Sequence, residues 1–265
     1  MKRIKLIILL CWIFAVILLT ASVESAAGPF VSGTTYEPFY PVDMNSPDIV
    51  AWATGWENYI VGEEVDALWQ TPEKALGPAA GTSYDIVCLG RGGQITMTFE
   101  HGIKNGNGWD FAVFENSFSD TFLELGYVEV STNGVDFVRF DNVSLTKDPV
   151  GEYGSVDYTE IHGFAGKYRQ GLGTPFDLAD LTYKIEVTSG QVNLDRIYYV
   201  KVVDIVGDGS CMENRPPGWG DNGNIYDPYP THGSAGFDLD AIGVRYQVEN
   251  KAMPWIPLLL LNSQD

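Results

Sequence analysis

Two aspartates, Asp238 and Asp240, stand two residues apart in "GFDLDAIGV", residues 236–244. In an extended strand that spacing puts them on one face with Ile242 and Val244, the face that branched apolar residues mark as inward. An unpaired buried charge is costly, so the pair calls for a neutralising partner. A hard cation such as Ca²⁺ is one, taking six to eight oxygen ligands at about 2.3–2.6 Å. The stretch just upstream offers Asp221, Asn224 and Asp227, so the candidate ligand set is Asp238, Asp240, Asp227, Asp221 and Asn224. The spacing is not that of a contiguous calcium loop, and such a site would be assembled from separate segments. Calcium fits better than zinc because the donors are oxygens and only His232 lies near. The alternative is that both aspartates cap backbone amides at a sheet edge.

Three further groups bear on ligand binding. Glu115 and Asn116 close the apolar run "WDFAVFEN" and are candidates for a binding or metal-ligand pair. Lys167, Tyr168 and Arg169, in "AGKYRQGLG", make a basic spot in an acidic chain, suited to a sugar or an acidic partner. Trp52, Trp56, Trp69, Trp109, Trp219 and Trp255 could stack on sugar rings if exposed, with Trp56 the chosen candidate, while in a sandwich most tryptophans belong to the core. Catalytic signatures are thin. His101, His162 and His232 stand in glycine-containing turns without a metalloprotease helix motif, and no nucleophile elbow occurs. "LGRGG" lacks the Lys-Ser/Thr that a phosphate loop needs. These residues favour a non-catalytic binding or adhesion module. The alternatives are an extracellular polysaccharide-acting enzyme, hydrolase or lyase, with Glu115 or another loop carboxylate as acid/base, and a purely structural envelope component.

Short strands separated by glycine-rich turns are what position these groups. "QITMTF" alternates apolar and polar residues, and Asn133-Gly134 sits between two β-prone runs as a hairpin signal. "LTYKIEV", "RIYYVKVVDI" and "FDLDAIGVRYQV" also read as strands, and only residues 63–69 suggest a short helix. With no alternation of strands and long helices, the pattern predicts an all-β antiparallel sandwich of the jelly-roll type over residues 81–250. Residues 28–80, rich in Pro, Trp and Tyr, are expected to wrap the sandwich. Residues 207–236 form a connection long enough to imply a function or a pinning ligand.

The chain opens with Lys2, Arg3 and Lys5, then an apolar run from Leu6 to Leu19 and the small residues Ser25-Ala26-Ala27. This reads as a signal peptide over residues 1–27, placing the protein outside the cell or on its surface. Cleavage after Ala27 leaves 238 residues and removes three of 16 basic and one of 35 acidic residues, for a net charge of −21. Such a charge repels nucleic acid and anionic lipid. In an oxidising compartment Cys88 and Cys211 could pair, and closing that loop would contribute roughly 4–5 kcal/mol. A buried thiol at Cys88 is the alternative. The tail, residues 251–265, has too short an apolar stretch to span a bilayer.

The segments "LGRGGQITMTF", "DFAVFEN", "YVEVSTNGVDFVRF", "AGKYRQGLGTPFDL" and "GFDLDAIGV", in that order, resemble exported bacterial cell-surface proteins of the PEP-CTERM-associated type. The hairpin and the terminal "DLDAI" strand resemble discoidin-like jelly rolls of the galactose-binding type. The resemblance implies a β-sandwich, a surface location, glycan or cell-surface partners, and a structural Ca²⁺ near the final strand with Asp240 as its most direct ligand. The chain departs from the sorted members in lacking a Pro-Glu-Pro motif, a full apolar helix and a basic terminus.

Overall fold

A computed structural model describes residues 27–249, so the signal-peptide reading and the 251–265 tail lie outside the described residues. The fold is an antiparallel all-β sandwich. One sheet has the order β1 (Val42–Asp43), β11 (Leu172–Phe176), β6 (Phe111–Glu115), β15 (Asp238–Val244), β2 (Ala51–Trp52), with β4 (Val87–Cys88) also paired to β15. The other has the order β3 (Gly55–Ile60), β5 (Gln94–Ile103), β12 (Ile197–Asp204), β7 (Gly126–Ser131), β8 (Phe137–Arg139). Two small ribbons complete it: β9 (Val143–Ser144) with β10 (Ile161–His162), and β13 (Asp208–Met212) with β14 (Asn224–Tyr226).

Alternation along the strands makes the core. Phe111 and Val113 of β6 and Ile242 and Val244 of β15 meet Ile95 and Met97 of β5, Val128 and Val130 of β7, and Val200 and Val202 of β12. On the outer side of the first sheet, Ala112, Phe114 and Ala241 join Val42, Ala79 and Trp109 in a smaller cluster. The outer face of the second sheet is polar: Glu129 lies between Arg139 at 2.6 Å and Lys201 at 2.7 Å.

Three sequence expectations change. The alternation predicted for the last strand breaks at a one-residue register shift between Leu239 and Ala241 opposite β6. Leu239 therefore shares the inter-sheet core with Ile242 and Val244. Such a bulge flips the phase of every residue on one side of it, so Asp238 and Asp240 leave the core face. "LTYKIEV" is not a strand; Ile185–Thr188 is a single helical turn, α1, with Ile185 71 % exposed. The predicted long loop, residues 207–236, carries the β13–β14 ribbon. At the β7–β8 hairpin, Asn133 Oδ1 accepts from the amides of Val135 and Asp136, and Gly134 takes φ 74°. Among the described residues no helix is long and apolar enough to cross a membrane.

Candidate functional site

Buried carboxylates do two different jobs in this molecule. Four of them tie separate segments together by accepting backbone N–H groups with both oxygens. Asp240 accepts from Ala80 and Gly81, each at 2.8 Å. Asp110 accepts from Gly106 and Leu178, each at 2.7 Å. Asp204 holds Gly92 at 2.8 Å and Phe237 at 2.7 Å. Glu213 takes the amides of Ser144 and Gly223 and the guanidinium of Arg215. Each satisfies orphan loop amides that would otherwise cost free energy in the interior.

A trio behaves differently. Glu115 at the end of β6, Glu124 just before β7 and Asp238 at the start of β15 are 2 %, 6 % and 4 % exposed. Glu115 accepts from the Ser117 amide at 2.7 Å, and Glu124 from the Gly236 amide at 3.1 Å. Gly236 sits at φ 73°, and a Cβ there would come within 2.4 Å of Asp204 Oδ1. Asn116 Nδ2 donates to Asp238 Oδ2 at 3.1 Å, while Asp238 Oδ1 is buried with no hydrogen-bond partner. The neighbouring Cys88 thiol is within reach of both the Ala235 carbonyl, at 3.0 Å, and the Asp238 side chain, and its single proton serves one of them at a time.

The electrostatics follow from this arrangement. Burial, then the charge of Asp238, pushes the Glu115 carboxyl well above the usual range. Burial does the same to Glu124, reinforced by Asp238, Glu115, Asp227 and Asp204. Burial raises Asp238 to about 7 against the pull of Cys88 and Asn116. Asp227, itself buried, is raised by burial and by Asp204. Among the described residues none of the trio is paired with a Lys, Arg or His. Glu124 and Asp238 form part of the lining of a cleft of about 340 Å³, whose other walls include Phe118, Phe122, Glu152, Tyr153 and His232. Phe118 and Tyr153 are exposed, and Phe118 stacks on Phe122 with ring centres 5.9 Å apart.

The sequence-predicted site residues divide accordingly. The structure brings Asp238 together with Glu115 and Asn116, a pair of candidates from a separate motif. Asp227 is buried at the margin of the cluster and accepts from the Leu125 amide at 2.8 Å. Asp240 is a backbone cap, as the alternative reading had it, and Asp221 and Asn224 are exposed on the β13–β14 ribbon segment. Among the described residues no three His, Cys, Asp or Glu side chains are already arranged around one metal position. Glu124 was not predicted; its signal is a charge set between Leu123 and Leu125, both fully buried. Of the two readings for the cysteines, the structure has separate thiols and not the disulfide: Cys88 is buried in β4 and Cys211 packs beside a second core cluster around Ile225 and Tyr127.

The basic spot is corrected as well. Lys167 is 1 % exposed, and its Nζ reaches Glu37 Oε1 at 2.9 Å and the Phe30 carbonyl at 3.0 Å. Tyr168 is buried with its hydroxyl 2.8 Å from Ser32 Oγ. Arg169 stays exposed near Asp120, and Trp56 is 42 % exposed on β3. Lys167 thus belongs to a second cleft, of about 270 Å³, under a strap of residues 28–39. Comparison with protein-family models and with curated proteins finds no match to this chain.

Proposed function

We propose that this chain is a secreted or cell-surface, non-catalytic binding module whose acidic cleft holds a structural Ca²⁺. The observation that carries the reading is Asp238 Oδ1, a buried carboxylate oxygen without a partner, beside two more buried carboxylates and no cationic side chain. A divalent ion offsets such a cluster better than protons do at neutral pH. It would draw Glu115 and Glu124 onto Asp238, with amide oxygens and water completing the shell. The donors are oxygens, and burial keeps the Cys88 thiol protonated, which favours a hard cation over zinc. Glu115 ends β6 of one sheet and Glu124 leads into β7 of the other, so the ion would clamp the two sheets together at the foot of the cleft. Burial of Glu115 suits a ligand role better than that of an acid/base meeting a glycoside.

The test is thermal unfolding of the protein stripped with EDTA, then supplied with Ca²⁺, Mg²⁺ or Zn²⁺. A Ca²⁺-selective rise is expected, about 2.7 kcal/mol at 100 times the dissociation constant. Glu124→Gln is expected to abolish the rise, and Asp240→Asn to leave it in place. No response to any of the three ions after demonstrated stripping ends this reading.

A further inference from the structure

The strap cleft carries a second site of different character. Its walls come from the strap, the turn after β10, the end of β11 and the loop that bears Trp219. Gly28 and Phe30 fix the strap by donating to Thr159 at 2.7 and 2.9 Å. Phe30 then lies parallel to the Trp219 ring, with centres 5.9 Å apart and 4° between planes. Tyr36 meets Trp219 edge-on at 5.0 Å, and His162 stacks on both Phe30 and Trp219. Trp219 is half-buried and held by three other rings, which makes it a preorganised apolar wall.

The polar groups are equally fixed. Glu37 Oε1 receives Lys167 at 2.9 Å and His162 Nδ1 at 2.6 Å. A carboxylate accepts, so Nδ1 carries the proton and Nε2 is left for a ligand; among the described residues it has no partner. Asp141 pairs with Lys184. Both lysines are thus engaged by carboxylates, which leaves Asp177 and Asp180 on the lining as hydroxyl acceptors and the cleft net negative. An aromatic wall with carboxylate acceptors, and among the described lining residues no unpaired Lys or Arg, suits a polyol and gives an anion no partner. Its volume, just below the ~300–1,000 Å³ of ligand pockets, admits one ring and not the middle of a long chain.

We infer that the strap cleft binds the terminal ring of a neutral saccharide, stacked on Trp219 and Tyr36 with its hydroxyls on His162 Nε2, Asp177 and Asp180. This rests on the binding-module reading but not on the calcium site, which lies in the other cleft. The experiment is retention on an array carrying terminal galactose, glucose, mannose, N-acetylglucosamine and N-acetylgalactosamine beside sialylated and sulfated glycans. The best neutral sugar is then titrated by calorimetry in Ca²⁺ and in EDTA.

Binding of a neutral terminal sugar in both buffers is expected, weakened about tenfold or more by Trp219→Ala and by His162→Ala. Asp180→Asn, at an exposed position, tests the same cleft should those variants fail to fold, and is expected to weaken binding with an unchanged melting temperature. The inference is overturned if the folded protein retains no neutral sugar, if only anionic glycans are held, or if Asp180→Asn and Trp219→Ala bind as well as wild type. Sugar binding that disappears in EDTA also overturns it, moving the ligand to the acidic cleft and leaving the calcium reading in place.

Discussion

In the strap cleft Glu37 faces Lys167 and His162; in the acidic cleft Glu115, Glu124 and Asp238 face one another. Both have carboxylates and aromatic side chains in their walls, but Glu37 is half-buried in the strap while the acidic trio is buried at strand ends. Their composition is similar and their charge balance is opposite. A carboxylate that has a cation stabilises the fold while the pair is intact, and removing the cation is what harms it. A carboxylate among carboxylates burdens the fold until something arrives from solution. Pairing at this scale, more than residue type, separates a carboxylate that has its cation from one that lacks it.

The largest expected effect tests the balanced side. Lys167→Met keeps the volume but strands Glu37 with His162 alone, and is expected to destabilise by about 3 kcal/mol in urea unfolding. Adding Glu37→Gln should recover most of that loss; a double variant no more stable than the single would break the comparison. The acidic cleft should respond with the opposite sign. In metal-free buffer Asp238→Asn removes a buried uncompensated charge and is expected to stabilise by about 1–2 kcal/mol, read as a higher denaturation midpoint. Destabilisation there would mean that Asp238 already has a partner.

The smallest effect comes from Glu129 on the outer sheet face. Burial works against its ionised form, but hydrogen bonds and charge from Lys201 and Arg139 prevail and hold its carboxyl below the ordinary 4.5. A group with a lowered folded-state value contributes stability above pH 4.5 and loses it as pH falls through that lowered value. Glu129→Gln should therefore flatten the acid limb of the stability profile by roughly 1 kcal/mol or less, since the ladder is partly solvent-exposed. An unchanged acid limb would show that the ladder contributes nothing.

Much of the architecture was legible because strands advertise themselves locally. β5, β7 and β12 each carry their own alternation, and Asn133-Gly134 marks its own turn. The inward aspartates were half-read. Asp238 does lie in a buried acidic cluster, but Asp240 answers amides 159 and 160 residues away, a pairing that no local window contains. The bulge at Asp240 is likewise a property of two strands together, so alternation within one of them could not reveal it. Ile185 and Val187 read as strand residues by type, yet the chain there turns once, exposing Ile185 and packing Val187 on the core. Lys167 looked like surface because lysine usually is; its burial depends on Glu37, 130 positions earlier, and on a strap whose path only the fold defines.

The position of β15 has a consequence for timing. This strand is central in the first sheet, hydrogen-bonded to β6 on one side and to β2 and β4 on the other, and it is the last strand along the described chain. Until residues 238–244 emerge from the ribosome, β6 lacks one neighbour and β2 and β4 lack a sheet to join. Closing loops of this length is entropically costly, and topologies dominated by distant pairings assemble slowly. The first sheet of a nascent chain of this design therefore stays open until β15 has been made, however early its other strands emerge.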